Sequence, residues 1–184
     1  MVMAHCSDEV DLGWPILQER EIYREVIVCS GSLEGKKALK ELGNELEIKT
    51  TCLDYDGWLC ELDKEDGTFV RMCKELQKKI IDAKYDYIFT HNMMGEDGNV
   101  DHQIVHNVAM NVKSRILMTD IFISGGWVPY AAISFNYKKT YFREKEARCE
   151  VNLDFYDKCR KIYFGHSAWQ SEGDPVLTCN LYLV

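Results

Sequence analysis

A chain of 184 residues, 46% of them apolar, is sized for one domain, residues 1–184, with a sizeable core. Its net charge of −8, without a pronounced basic patch, disfavours binding to a phosphate backbone, so no nucleic-acid partner is expected. No apolar run approaches the ~20 residues that span a bilayer, and Met1 to Glu9 has neither a basic nor a long apolar leader region, so neither a transmembrane segment nor a signal peptide is expected.

Met1 to Ala4 is apolar and long enough for a strand end only, and His5 to Glu9 is polar. Val10 to Arg24 suggests a loop and then a helix, with Ile16, Leu17 and Tyr23 as buried positions and Pro15 suited to a first turn. Glu25-Val26-Ile27-Val28-Cys29 is rich in β-branched residues and predicts a buried strand. Ser30-Gly31-Ser32 is a turn, and Ser32 is a good N-cap for a helix over Leu33 to Leu42 that stops at Gly43. Leu46 to Leu53 partly alternates, as a third strand would. Asp54 to Thr68 is a loop with Asp56-Gly57 and Asp66-Gly67 turn signals. Phe69 to Ala83 carries Met72, Leu76, Ile80 and Ala83 at helical spacing. A fourth strand, Tyr85 to Phe89, leads into the glycine-bearing loop Thr90 to His102 and a helix that runs to about Val112. Arg115 to Ile123 predicts another strand, broken at Gly125-Gly126. Ala131 to Tyr137 suggests a strand, Phe155 to Phe164 a helix, and Val176 to Val184 an edge strand or tail.

Alternating strands and helices predict an α/β fold: three-layer, Rossmann-like, with a mostly parallel sheet flanked by helices. Such sheets bind ligands beyond the carboxyl ends of their strands. Two polar clusters sit at such ends, Ala4-His5-Cys6-Ser7-Asp8-Glu9 and the loop closing on Asp101-His102. Side by side, His5, Asp8 and His102 form a His₂-carboxylate set with an open position, which suits catalytic zinc.

The other chemistry-bearing residues have plainer readings. The eight cysteines include no Cys-x-x-Cys pair, which points to reduced thiols in a cytoplasmic protein. His91 is expected to bond loop backbone. His106 is expected to serve a structural or supporting role, and His166 to be exposed or hydrogen-bonded. Ser30 to Gly35 is neither a P-loop nor a dinucleotide fingerprint. Trp58, Trp127 and Trp169 suit a sugar ring, though aromatics of this size more often fill cores. Lys36-Lys37 and Lys138-Lys139 read as solvated runs. Homo-oligomerisation is left open.

Two segments resemble the LmbE-like family of zinc-dependent N-deacetylases, which includes N-acetylglucosaminyl-phosphatidylinositol de-N-acetylase. Ala4-His5-Cys6-Ser7-Asp8-Glu9 is similar to the family's Ala-His-Pro-Asp-Asp-Glu. Thr90-His91-Asn92 and Gly95-Glu96-Asp97-Gly98-Asn99-Val100-Asp101-His102 resemble its Thr-His-Asn and Gly-Glu-x-Gly-His-x-Asp-His. Gly31, Glu34, Ala38, Leu42 and Gly43 fall where the family has a helix, and Lys158 to Gln170 is similar to its late helix. The resemblance implies zinc held by His5, Asp8 and His102, with Asp101 beside the last ligand and an amino-sugar-like small molecule as substrate.

Three positions depart from the family pattern. Its general base is Ser7 here, its oxyanion-stabilising histidine is Asn99, and its arginine is Gly31. Ser7, Asn99 and Asp101 are therefore the candidate catalytic positions. Glu9, Asn92 and Glu96 are those expected to meet substrate, and Glu9, Glu96 and Asp101 those available to move protons. An asparagine can still donate to an oxyanion. The implied activity is zinc-dependent amide hydrolysis, and the alternative is a catalytically silent zinc- or sugar-binding relative.

Overall fold

The computed structural model describes residues 1–121, 145–169 and 175–184. The end of the expected strand past Ile121, Gly125-Gly126, Trp127, the strand at Ala131 to Tyr137, Lys138-Lys139 and Gln170 lie outside the described residues.

The fold is α/β. A three-stranded parallel sheet has the order β1-β2-β3, formed by Val2–His5, Glu25–Ser30 and Lys49–Tyr55. A mixed sheet has the order β4-β5-β7-β6, formed by Tyr87–Phe89, Arg115–Thr119, Thr178–Leu183 and Lys145–Glu150. In it β4 and β5 are parallel, and β7 is antiparallel to both neighbours. One parallel bridge, Val2 to Thr90, joins the end of β4 to β1.

β2 is buried along its whole length because it pairs on both sides and is covered on both faces. Its alternation feeds two apolar clusters. Val26 and Val28, with Met3 of β1, pack against α3 (Leu33–Leu46) and α7 (Leu153–Gly165). Ile27 and Cys29, with Val2 and Ala4, pack against α4 (Thr68–Ala83) and α6 (Val100–Met110). Of the expected stripe of α4, Met72, Leu76 and Ile80 are its buried residues, each stabilising by about 1.5–3 kcal/mol through burial, while Ala83 in the last turn is exposed.

Helix α3 corrects one expectation. It begins as read, with the Ser32 side chain accepting from Gly35 N–H at 3.0 Å. It then continues through Gly43 to Leu46 and ends on Glu47 in the left-handed region. Gly43 is there for close packing: a Cβ would come within 2.8 Å of Thr50 Oγ1 and 3.1 Å of the Ile48 carbonyl. Val10 to Arg24 also differs. It forms two single-turn helices, α1 (Asp8–Asp11) and α2 (Trp14–Leu17), separated at Gly13. A Cβ on Gly13 would meet Met1 Sδ at 2.6 Å and the Glu9 carbonyl at 2.8 Å. Leu17 is buried, but Tyr23 is 77% exposed. Pro15 does occupy the first turn of α2.

The C-terminal strand is β7, an interior strand and no edge. Among the described strands β6 stands at the edge, and its charged sequence carries no apolar run. Among the described residues, no helix is long and apolar enough to cross a membrane.

Candidate metal centre

β1 ends at His5, and the chain turns sharply at Ser7, whose φ of 92 is left-handed. The turn brings the next carboxylate back, so that His5 N–H donates to Asp8 Oδ2 at 2.8 Å. From the other sheet, β4 delivers Thr90, His91 and Asn92. A one-turn helix, α5 (Gly95–Gly98), then kinks at Glu96, φ 55. Asn99 caps α6, its side-chain oxygen accepting from Asp101 N–H at 2.9 Å and His102 N–H at 3.4 Å. The first turn of α6 thereby points Asp101 and His102 inward at His5 and Asp8.

Among the described residues, two donor sets lie close enough to hold a metal ion: His5, Asp8 and His102, and His91, Glu96 and His102, each with its ligand atoms within 4.8 Å of one another. Hydrogen bonding separates them. His91 Nε2 accepts the Ala4 backbone N–H at 2.9 Å, so its proton sits on Nδ1 and is donated to Glu96 Oε2 at 3.1 Å. Both ring nitrogens are committed, and burial together with the neighbouring His102 lowers the His91 pKa. The second set is thus accounted for as a buried hydrogen-bond chain.

In the first set both histidines face inward with a nitrogen left over. His5 donates from Nε2 to Asp101 Oδ2 at 2.9 Å, which leaves Nδ1 facing Asp8 Oδ2 at 3.4 Å. His102 donates from Nδ1 to Glu96 Oε2 at 2.8 Å, which leaves Nε2 facing the same Asp8 oxygen at 3.4 Å. These gaps are longer than good hydrogen bonds. A carboxylate behind each imidazole is the usual support of a metal-binding histidine, because it fixes the tautomer and raises basicity.

The electrostatics agree. Three carboxylates, Asp8, Glu96 and Asp101, surround two imidazoles. Burial opposes charge on His5, but Asp101 and Asp8 raise its pKa to about 9. Burial likewise opposes charge on His102, and Asp8 and Glu96 outweigh it, holding the pKa well above the usual value. Against the same desolvation, His102 and His5 keep Asp8 well below the carboxylate range, and His91 and His102 bring Glu96 to about 2. A field that concentrates positive charge in this way also favours a divalent cation.

The other candidate positions have internal roles. Glu9 is fully buried, accepts the Tyr163 hydroxyl and takes Ser7 N–H at 3.1 Å; burial raises its pKa to about 7. Asn92 is fully buried, donates to the Ile121 carbonyl at 2.9 Å and accepts Met94 N–H at 2.9 Å. Glu96 accepts Asn92 N–H at 2.8 Å with its other oxygen. The side-chain oxygens of Glu9 and Glu96, and both polar atoms of the Asn92 amide, are engaged within the fold. His106 supports His91, donating from Nδ1 to its carbonyl at 2.8 Å. His166 bonds Glu41 at 2.7 Å.

One element of the centre lies outside the expected motifs: the 3-10 turn Leu59–Glu61. Asp101, fully buried, accepts Leu59 N–H at 2.7 Å and Cys60 N–H at 2.8 Å as well as His5. A backbone contact of this kind leaves no side-chain signature in the sequence. Asp101→Asn would set an amide N–H against one of these donors. The expected result is a loss of about 1–3 kcal/mol in stability and a 10–100-fold fall in divalent-metal affinity. Denaturant midpoints and competition titration measure these, and unchanged values for both would remove Asp101 from its supporting role.

A cleft of about 410 Å³ opens beside His5, with Ser32, Gly31, Asp56 and Trp58 among its walls. His5 and Asp8 reach solvent, with side chains 17% and 14% exposed. A larger cavity of about 1170 Å³ lies at the opposite strand ends, around Glu25, Tyr87 and Arg115, and touches none of the centre. No protein-family profile matches the chain, and no curated protein matches it significantly.

Proposed function

We propose that this protein is a zinc-dependent hydrolase of the N-deacetylase type, acting on the amide of an N-acetylated amino sugar or its conjugate, and an LmbE-like protein over residues 1–184. The observation that carries the reading is the shared 3.4 Å approach of His5 Nδ1 and His102 Nε2 to Asp8 Oδ2. Tetrahedral ligands about 2.0–2.1 Å from zinc stand about 3.3–3.4 Å apart. The bridge from Val2 to Thr90 supports reading both sheets as one Rossmann-like sheet, β3-β2-β1-β4-β5, in a three-layer fold. Eight free thiols favour a reducing, cytoplasmic setting.

His5, Asp8 and His102 would hold the ion, while Asp101 and Glu96 keep the two imidazoles oriented. Bound zinc supplies Lewis acidity and lowers the pKa of a coordinated water. The chain's own proton handling is sparse. Asp101 spends its oxygens on His5, Leu59 and Cys60, and Glu96 spends its oxygens on His91, His102 and Asn92. The Asn99 oxygen caps α6, so an oxyanion would meet only the amide's N–H side.

That commitment of carboxylates favours a second reading, a zinc- and sugar-binding protein that does not hydrolyse. The test is metal analysis of the purified chain, then amine release from a panel of N-acetylated sugars. About one zinc per chain with slow amine release supports the hydrolase. Zinc without any release favours the binding protein, and absence of metal overturns both.

A further inference from the structure

We propose that Trp58 is the platform on which the sugar ring stacks in the cleft beside His5. This rests on the sugar-amide reading above and names the wall against which the same cleft holds its substrate.

Trp58 is 54% exposed yet firmly placed. Its indole and the His5 ring are in T-shaped contact, with centroids 5.4 Å apart and planes at 78°. It precedes the turn whose Leu59 and Cys60 N–H groups are tied to Asp101. Before it, the Gly57 carbonyl accepts the Ser30 hydroxyl at 2.7 Å, and after it Leu59 is fully buried as an anchor. A half-exposed indole is therefore presented by a pinned turn, next to a metal-ligand histidine and at the mouth of the cleft. A pyranose offers an apolar C–H face to such a ring and hydroxyls to its surroundings. Asp56, whose side chain is 91% exposed, and the exposed Ser32 stand on the same cleft to bond them.

The test is calorimetric titration of the zinc-loaded full chain with N-acetylglucosamine, for the wild type, Trp58→Ala and Trp58→Phe. The expected result is that Trp58→Ala binds the sugar about tenfold more weakly, while Trp58→Phe stays within about threefold of wild type. Equal zinc content and far-UV circular dichroism in all three proteins establish that the variants fold. Wild-type affinity in a folded Trp58→Ala overturns the platform and leaves the hydrolase reading intact. A zinc-loaded wild type that does not bind N-acetylglucosamine overturns the inference and the sugar-amide reading together.

Discussion

His102→Ala is expected to reduce zinc from about one per chain to background and to abolish amine release. His102 supplies one of three protein ligands, and its loss leaves Asp8 and His5 as an incomplete pair. It also deprives buried Glu96 of the imidazole that donates to it at 2.8 Å. Removing one partner of a buried charged pair costs about 3–5 kcal/mol, so a folded comparison is needed. His102→Gln is that comparison, because its amide N–H can still reach Glu96 while offering no imidazole to a metal. His91→Gln should keep its zinc, since His91 Nε2 already accepts Ala4 N–H. Metal analysis after gel filtration separates the two donor sets. Loss of zinc in His91→Gln would assign the ion to His91, Glu96 and His102 instead, and full retention in His102→Gln would overturn both sets, since His102 belongs to each.

Ser7→Asp is expected to raise the rate of amine release by about 10²–10⁴-fold, the usual worth of a positioned general base. Ser7 sits one residue before the carboxylate ligand, at φ 92 and ψ −23. Aspartate and asparagine tolerate left-handed backbone better than most non-glycine residues, so the turn can accept either. Ser7→Asn tests the chemistry, because it has nearly the same shape as aspartate and cannot take a proton. Zinc content should be the same in both variants. If Ser7→Asn accelerates the reaction as much as Ser7→Asp, the rate comes from altered backbone and the missing-base account fails. The corresponding change at Asn99 is a poorer probe. It would remove the cap of α6, worth about 0.5–2 kcal/mol, and loosen Asp101 and His102 together.

The periodic elements were legible in the sequence. β2 is an unbroken apolar run because both of its faces are covered, and α4 shows its stripe because only one face is. β6 was illegible, since a charged edge strand has no apolar pattern to detect. The stop expected at Gly43 failed because glycine marks a helix end and a tight packing contact alike, and here Thr50 occupies the space. At the centre, residue types and local spacing indicated His5, Asp8 and His102. Their convergence depends on contacts such as that from His5 to Asp101, 96 positions away, which spacing cannot supply. Glu9, Asn92 and Glu96 resemble substrate-facing polar residues in the sequence. Their inward orientation follows from bonds to Tyr163, Ile121 and His91, and nothing in a loop's composition says which way its side chains turn.

The line between β1 and β4 is the seam of the molecule. On one side β1, β2 and β3 zip together along their length, and on the other β4 and β5 do the same. Among the described residues, one backbone bridge crosses the seam. His5 and Asp8 stand on its near side and His102 on its far side, so an ion held by all three rivets the halves together. The chain loop that such a rivet closes is long, and long closures carry an entropy cost that local pairing does not. Metal occupancy would then govern how tightly the seam shuts as well as what chemistry occurs at its lip.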